Sequence, residues 1–266
     1  MESRVSRLSD PHRIPYRGPV FHFFWPFTRY IIVNGCAFIF WFYFNVLNKT
    51  IVVGAGNVPE DDNTLILPNH QTMFDGFLVG AAAFYPKCFW KPWLFPWIPA
   101  AQENFYSNPF WGWVSDNWKC IPVREGRKDF RAMKRIINCL KHGRMIVFPE
   151  GTRSRTGEIG PARLGMGYVI LHTFPKTIPV CMVGVDKVLP VGSWWPRIFK
   201  TVYLYFGKPV ALDEFRGMDA DREGSEQVIN KVFDQVHRQD RILKRYRRLR
   251  ARRLVDMPFF YSLYGV

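Results

Sequence analysis

The chain has 266 residues, a formal charge of +15, and 48% hydrophobic and 17% aromatic residues. So much apolar material excludes a disordered chain, and the length suffices for one sizeable α/β domain or two small ones. The positive balance asks for an acidic partner: nucleic acid, an anionic membrane surface or an acidic substrate. Five scattered cysteines (Cys36, Cys88, Cys120, Cys139, Cys181) with no C-x-x-C pair argue against a disulfide framework or a zinc site and favour a reducing compartment.

The first twenty residues are polar and carry Arg4, Arg7, Arg13 and Arg17, with no cleavable signal peptide evident. From Phe21 to Leu47 the chain is nearly all apolar and aromatic, with Arg29 its one permanent charge and Pro26 and Gly35 as interruptions. The break around Pro26 to Arg29 predicts two short helices forming a hairpin that dips into one leaflet and returns. This monotopic reading is preferred to a full span, which would carry the cysteine-bearing remainder across the membrane, and to a buried core helix. Between Ala81 and Trp118, aromatics mix with Lys87 and Lys91; a second membrane anchor and an aromatic core fit that stretch equally.

Thr64 to Leu67 reads as a buried strand ending at Pro68, and Gln71 to Ala83 as a helix closed by Pro86. Lys128 to Lys141 is an amphipathic helix, with Phe130, Met133, Ile136, Ile137 and Leu140 as its apolar stripe and Gly143 as its terminator. A strand over Arg144 to Phe148, a helix over Gly165 to Thr173, and strands over Thr177 to Val185 and Val202 to Phe206 complete the pattern. The expected fold is α/β, a mixed and partly parallel sheet flanked by helices, preceded by the membrane-embedded hairpin. Ser225 to Asp240 is polar and helical. Beyond it, the basic residues from Arg238 to Arg253 meet a single acid, Asp240, which suits an amphipathic helix on anionic lipid.

Chemistry concentrates in two places. In Asn69-His70-Gln71-Thr72-Met73-Phe74-Asp75, a turn at a helix start can bring Asp75 back to His70, fixing the imidazole tautomer and stabilising the imidazolium of a general base. In Phe148-Pro149-Glu150-Gly151-Thr152-Arg153-Ser154-Arg155, Gly151 lets the backbone approach a ligand, while Arg153 and Arg155 offer bidentate donors for phosphate. Glu150 either holds an arginine or accepts a bond from a hydroxyl. Arg124 adds a third candidate phosphate contact. Both blocks follow strands, where α/β sheets place their sites. The chain has no G-x-S-x-G elbow, no P-loop and no H-E-x-x-H zinc helix.

The first block resembles the N-H-x-[ST]-x-x-D block of the glycerolipid acyltransferases, of which the 1-acylglycerol-3-phosphate O-acyltransferases are best known. Phe148 to Ser154 matches their F-P-E-G-T-R-S block without substitution. Ile121-Pro122-Val123-Arg124 and Ile178-Pro179-Val180 look like their second and fourth blocks. The resemblance implies that His70 and Asp75 are catalytic. It implies that Arg124, Glu150, Gly151, Thr152 and Arg153 bind the acceptor, and that Pro179 shapes a pocket. It further implies a lysophospholipid acceptor and an acyl thioester donor, acyl-CoA or acyl carrier protein, with no acyl-enzyme, no further cofactor and no metal. The aromatic stretch from Ala81 to Trp118 and the arginine-rich tail depart from the shared blocks and leave the acceptor open.

The expected organisation is a basic segment over 1–20, a membrane-associated helical hairpin over 21–48, an α/β acyltransferase domain over 49–215, and a basic C-terminal helix and tail over 216–266. The expected activity is acylation of lysophosphatidic acid to phosphatidic acid at an anionic membrane surface, with the catalytic domain on the cytoplasmic side. Other lysophospholipid or lyso-aminolipid acceptors are the alternative. A basic membrane- or nucleic-acid-binding protein without activity is the remaining one, and no nucleic acid is expected.

Overall fold

The computed structural model describes residues 13–124, 126, 129–190, 192–193 and 195–252, so the basic run before residue 13 and the end of the tail lie outside the described residues. Helix α1 (Pro19–Phe42) passes through a π-helical turn (Tyr43–Leu47) into strand β1 (Lys49–Val53). Then come β2 (Thr64–Pro68), α2 (Asp75–Phe84), β3 (Ile98–Ala101), the short α3 (Gln102–Phe105), α4 (Pro109–Asn117), β4 (Cys120–Val123), α5 (Phe130–Lys141) and β5 (Arg144–Ile146). The chain finishes with α6 (Leu164–Thr173), β6 (Lys176–Val183), β7 (Thr201–Phe206) and α7 (Arg222–Ala251).

Five strands form one sheet in the order β1-β7-β6-β2-β5, parallel except for the antiparallel β6–β7 pair. The expected mixed, partly parallel sheet is therefore present. β2 is buried along its whole length, as a parallel strand with helices on both faces must be, and this explains its unbroken apolar run. Ile66 turns to a face packed by Leu78 and Val79 of α2 and by Val33 and Phe44 from the α1 segment. Leu65 and Leu67 turn to the opposite face, against Val169 and Ile170 of α6 and Val228 and Val232 of α7. Helices α6 and α7 approach so closely that a Cβ on Gly167 would lie 1.9 Å from the Ser225 carbonyl oxygen. Strands β3 and β4 pair with each other in parallel and join the edge at β5 through a Trp97–Met145 bridge.

The hairpin expected over 21–48 is not formed. α1 runs unbroken through Pro26. A proline forfeits one intrahelical bond, but tertiary contacts on both sides of it hold the helix together. The Arg17 guanidinium meets the fully buried Asp116 at 2.6 Å, the Trp25 indole donates to the Asp116 carbonyl at 3.2 Å, and the Thr28 hydroxyl donates to Asn117 Oδ1 at 2.6 Å. Tyr16 and Tyr106 donate to the same Asp116 carboxylate at 2.5 and 3.1 Å. One face of α1 buries Trp25, Val33 and Ala37, whereas Phe23, Phe24, Phe27, Ile31, Ile39 and Phe42 stay exposed on the other.

The stretch from Ala81 to Trp118 supplies part of the core and part of the surface. Leu94, Phe95, Trp97 and Trp118 are core, while Trp90, Trp93, Phe110 and Trp111 are exposed. The expected basic C-terminal helix is present as α7, which is continuous to Ala251 and buries Leu243 and Tyr246 against the sheet.

Candidate active site

β2 delivers Asn69 and His70 to the carboxyl edge of the sheet. The buried Asn69 side chain continues the sheet's pairing: its Nδ2 donates to the Met182 carbonyl at 3.1 Å and its Oδ1 accepts from the Met182 amide at 2.7 Å. The chain then turns before α2 starts, and Asp75, on the first turn of that helix, closes the turn. Its fully buried carboxylate accepts from Gln71 N at 2.5 Å, Thr72 N at 2.8 Å and Thr72 Oγ1 at 2.8 Å. His70 Nδ1 completes the set at 2.9 Å. An acceptor at that position makes Nδ1 the protonated nitrogen and leaves Nε2 as the basic one. The imidazole stacks on Phe148 with centroids 4.1 Å apart and planes 20° apart, so its ring is held on a second side.

The loop after β5 grips the main chain of His70. Glu150 Oε1 accepts the His70 amide at 2.7 Å, and the Ser154 amide donates to the His70 carbonyl at 2.9 Å. Glu150 Oε2 accepts from Gly160 N at 2.8 Å. Burial pushes the Glu150 carboxyl above its ordinary range, opposed by these two backbone donors. The residue thus acts as a brace between two loops, with each carboxylate oxygen on a main-chain amide, rather than as a holder of arginine. Gly151 adopts φ +67°, and a Cβ there would sit 2.6 Å from Arg163 Nε, the atom that donates to the Glu150 carbonyl at 3.0 Å. Beyond this turn Thr152, Arg153 and Arg155 are exposed. The loop therefore sets two guanidinium-bearing residues outside the part that holds the His70 main chain.

Arg124 follows β4 at the same carboxyl edge and is exposed. It borders a cavity of about 1200 Å³ with Ile14, Tyr16, Gln102, Ile121 and Arg131; neither His70 nor Arg153 is among the lining residues. Pro179 lies elsewhere. It is buried within β6 opposite Leu67, and its carbonyl accepts from Gly207 N at 2.9 Å and Gln239 Nε2 at 3.2 Å. The structure thus brings His70, Asp75, Glu150 and Gly151 together, leaves Arg153 exposed on the same loop, places Arg124 on a neighbouring cavity, and sets Pro179 in the sheet.

Sequence reasoning missed three positioning residues. Asn69 bridges to β6, Gln71 Oε1 accepts from Val185 N at 3.1 Å, and Phe148 backs the imidazole. A polar residue on each side of His70 in a stretch that must be buried was the available signal. No group of three or more His, Cys, Asp or Glu suited to a metal ion occurs among the described residues.

A family model described as Acyltransferase matches residues 49–183. The chain is 27% identical over 149 residues to a chloroplastic 1-acyl-sn-glycerol-3-phosphate acyltransferase of Brassica napus, a match covering 54% of this chain and 40% of that protein. It is 25% identical over 175 residues to a 1-acyl-sn-glycerol-3-phosphate acyltransferase of Pseudomonas aeruginosa, covering 64% and 60%. An N-acylphosphatidylethanolamine synthase of Arabidopsis thaliana is 23% identical over 188 residues, covering 64% and 66%. The Brassica and Pseudomonas relatives are thus matched over less than two thirds of their own length. The crystal structure of the 1-acyl-sn-glycerophosphate acyltransferase PlsC from Thermotoga maritima superposes with a TM-score of 0.57 at 22% identity, covering 88% of this chain and 87% of that one, which shows a shared fold. The matched family segment takes in β1 to β6 with both loops of the site, and the chain belongs to the Acyltransferase family.

Proposed function

We propose that the chain transfers a fatty acyl group from a thioester, carried by coenzyme A or a carrier protein, to the free hydroxyl of lysophosphatidic acid. The observation that carries this reading is the His70–Asp75 pair, with the loop that bears the exposed Arg153 bonded to the His70 main chain through Glu150 and Ser154. In this mechanism Nε2 takes the hydroxyl proton as the oxygen attacks the thioester carbonyl. Asp75 stabilises the imidazolium, and the tetrahedral intermediate collapses to the ester. The departing thiolate recovers the proton from Nε2, so no acyl-enzyme forms and no cofactor beyond the donor is used.

The acceptor keeps its tail in a membrane, and α1 suits an enzyme that works there. The segment Pro19–Leu47 is long and apolar enough to cross a bilayer. It is, however, packed on the domain along one face from Trp25 to Phe44, which favours lying in one leaflet with Phe23, Phe27, Ile31 and Ile39 toward lipid. On this reading the enzyme is monotopic, its domain stays on the cytoplasmic side, and the acceptor hydroxyl is offered at headgroup level.

Purified enzyme in detergent, given a labelled acyl thioester and lysophosphatidic acid, should form phosphatidic acid, and His70→Ala should abolish it. Retained turnover in that variant would remove His70 as base. The likeness to an N-acylphosphatidylethanolamine synthase gives a second acceptor class, so the panel should include ethanolamine lipids. Arg153→Ala should raise KM for a phosphate-bearing acceptor and leave kcat nearly unchanged; an unaltered KM would refute the anion-receptor role.

A further inference from the structure

The segment joining β6 to β7 has no part in the acyl transfer described above, yet it exposes large apolar side chains. Trp195 is 80% exposed, Phe199 84% and Ile198 42%. Phe199 also adopts φ +57°, a left-handed conformation that costs a bulky residue energy. The surroundings enforce it. Phe199 N donates to the Leu47 carbonyl and Lys200 N to Asn48 Oδ1, both at 2.9 Å, while Lys49 N returns a bond to the Lys200 carbonyl at 2.9 Å. Tyr43 donates its hydroxyl to the Arg197 carbonyl at 2.6 Å. The loop is therefore stitched to the π-helical turn after α1 and to the start of β1, on both sides of a phenylalanine whose ring is left outside.

Two further features point to one occupant. The stitching bonds are made at Tyr43, Leu47 and Lys49, next in the chain to the exposed Ile39, Phe42 and Val46, so the loop is anchored beside that apolar stripe. Between Asp186 and Asp213 the sequence contains no acid, while Lys187, Arg197 and Lys200 stand beside the aromatics. Exposed Trp and Phe set among cations match the headgroup boundary of an anionic bilayer. At its other end the loop is rooted at the site, since Val185 N and Asp186 N both donate to Gln71 Oε1, one residue after His70.

We infer that residues 195–200 form a second lipid-contacting element, inserting Trp195, Ile198 and Phe199 into the leaflet on which α1 lies and so fixing the height of His70 above the headgroups. This rests on the reading that the acceptor is presented by a membrane. The test uses the full chain, comparing wild type with Trp195→Ser, Phe199→Asn and the double variant. Asparagine tolerates the left-handed conformation, so Phe199→Asn should keep or raise the thermal midpoint. Binding to phosphatidylcholine–phosphatidylglycerol vesicles should fall about tenfold or more for each ring removed from the interface. Activity on vesicle-borne lysophosphatidate should fall with it, while activity on a short-chain, monomeric lysophosphatidate stays at the wild-type level.

Unchanged vesicle binding overturns the inference. So does an equal loss of activity on both acceptors, which marks a structural role, or a change in oligomeric state that shows the patch to be a contact between copies of the chain. If wild type acylates neither acceptor but the variants still lose vesicle binding, the proposed activity fails and the lipid contact stands.

Discussion

Replacing Glu150 with glutamine should damage catalysis far more than folding. The carboxylate gives one oxygen to the His70 amide at 2.7 Å and the other to the Gly160 amide at 2.8 Å. An amide keeps one acceptor and points its NH₂ at the second donor, leaving a buried N–H unsatisfied at a cost of about 1–3 kcal/mol. Against that, glutamine removes a charge whose burial already pushes the Glu150 carboxyl upward. The two effects oppose each other, so the net stability change should stay below about 2 kcal/mol.

The position of His70 has no such compensation, because Glu150 is what holds its amide. Misplacement of a reacting group by about 1 Å costs roughly 100-fold in rate, so a shift of half that size or more gives about a 10- to 100-fold fall in kcat, or about 1.4–2.7 kcal/mol. The assay is steady-state acylation of lysophosphatidate alongside thermal melts of both proteins. The linkage sign can also be checked. A folded-state pKa above the ordinary value favours wild type over the pH-silent glutamine most at pH below the ordinary glutamate range. That advantage is lost as pH rises through the folded value, so the gap in melting temperature should shrink from acid toward neutral pH. A variant with wild-type kcat would refute the brace.

Asp116→Ala should cost about 3–5 kcal/mol, because it strands the Arg17 guanidinium and the Tyr16 hydroxyl at a fully buried site and leaves Tyr106 only the Cys120 carbonyl. A chemical melt measures this, and tryptic cleavage at Arg13 or Arg17 should accelerate as the start of α1 loosens; an unchanged midpoint would dismiss the clasp. Gly151→Ala should lower both stability, by about 1–3 kcal/mol, and kcat, since the new Cβ meets the Arg163 side chain at φ +67°. Wild-type melting and turnover in that variant would show the turn to be tolerant.

The parts of the fold that were legible in the sequence are those whose burial is two-sided. β2, the Met145–Phe148 stretch around β5 and the Ile178–Val183 part of β6 announce themselves as apolar runs because helices cover both faces. α5 was readable from its stripe, and its start is sharpened by the Asp129 side chain capping Ala132 N at 3.0 Å. α2 begins at Asp75 rather than at Gln71, because the Asp75 carboxylate draws the Gln71 and Thr72 amides into its own turn before the helix starts.

Where long-range contacts decided, the sequence misled or was silent. Pro26 and Arg29 suggested a hairpin, whereas bonds to the distant Asp116 and Asn117 brace the helix on both sides of Pro26. β3 and β4 each contain a proline, Pro99 and Pro122, which hides a short edge ribbon. At the site, the pairing of His70 with Asp75 was visible from spacing, whereas the role of Glu150 depended on which amides came to face it after folding.

The continuity of α1 has a practical consequence. Its inner face closes the core beneath Leu78, Val79 and Phe84, and the π-helical turn after it is sewn to the segment carrying Arg197 and Lys200. The helix is thus a wall of the enzyme as well as its greasy exterior, and trimming it to obtain a water-soluble fragment would open the hydrophobic interior. Solubility has to be engineered on the outer side chains alone, at positions such as Phe23, Phe27 and Ile31, leaving Trp25, Val33 and Ala37 in place.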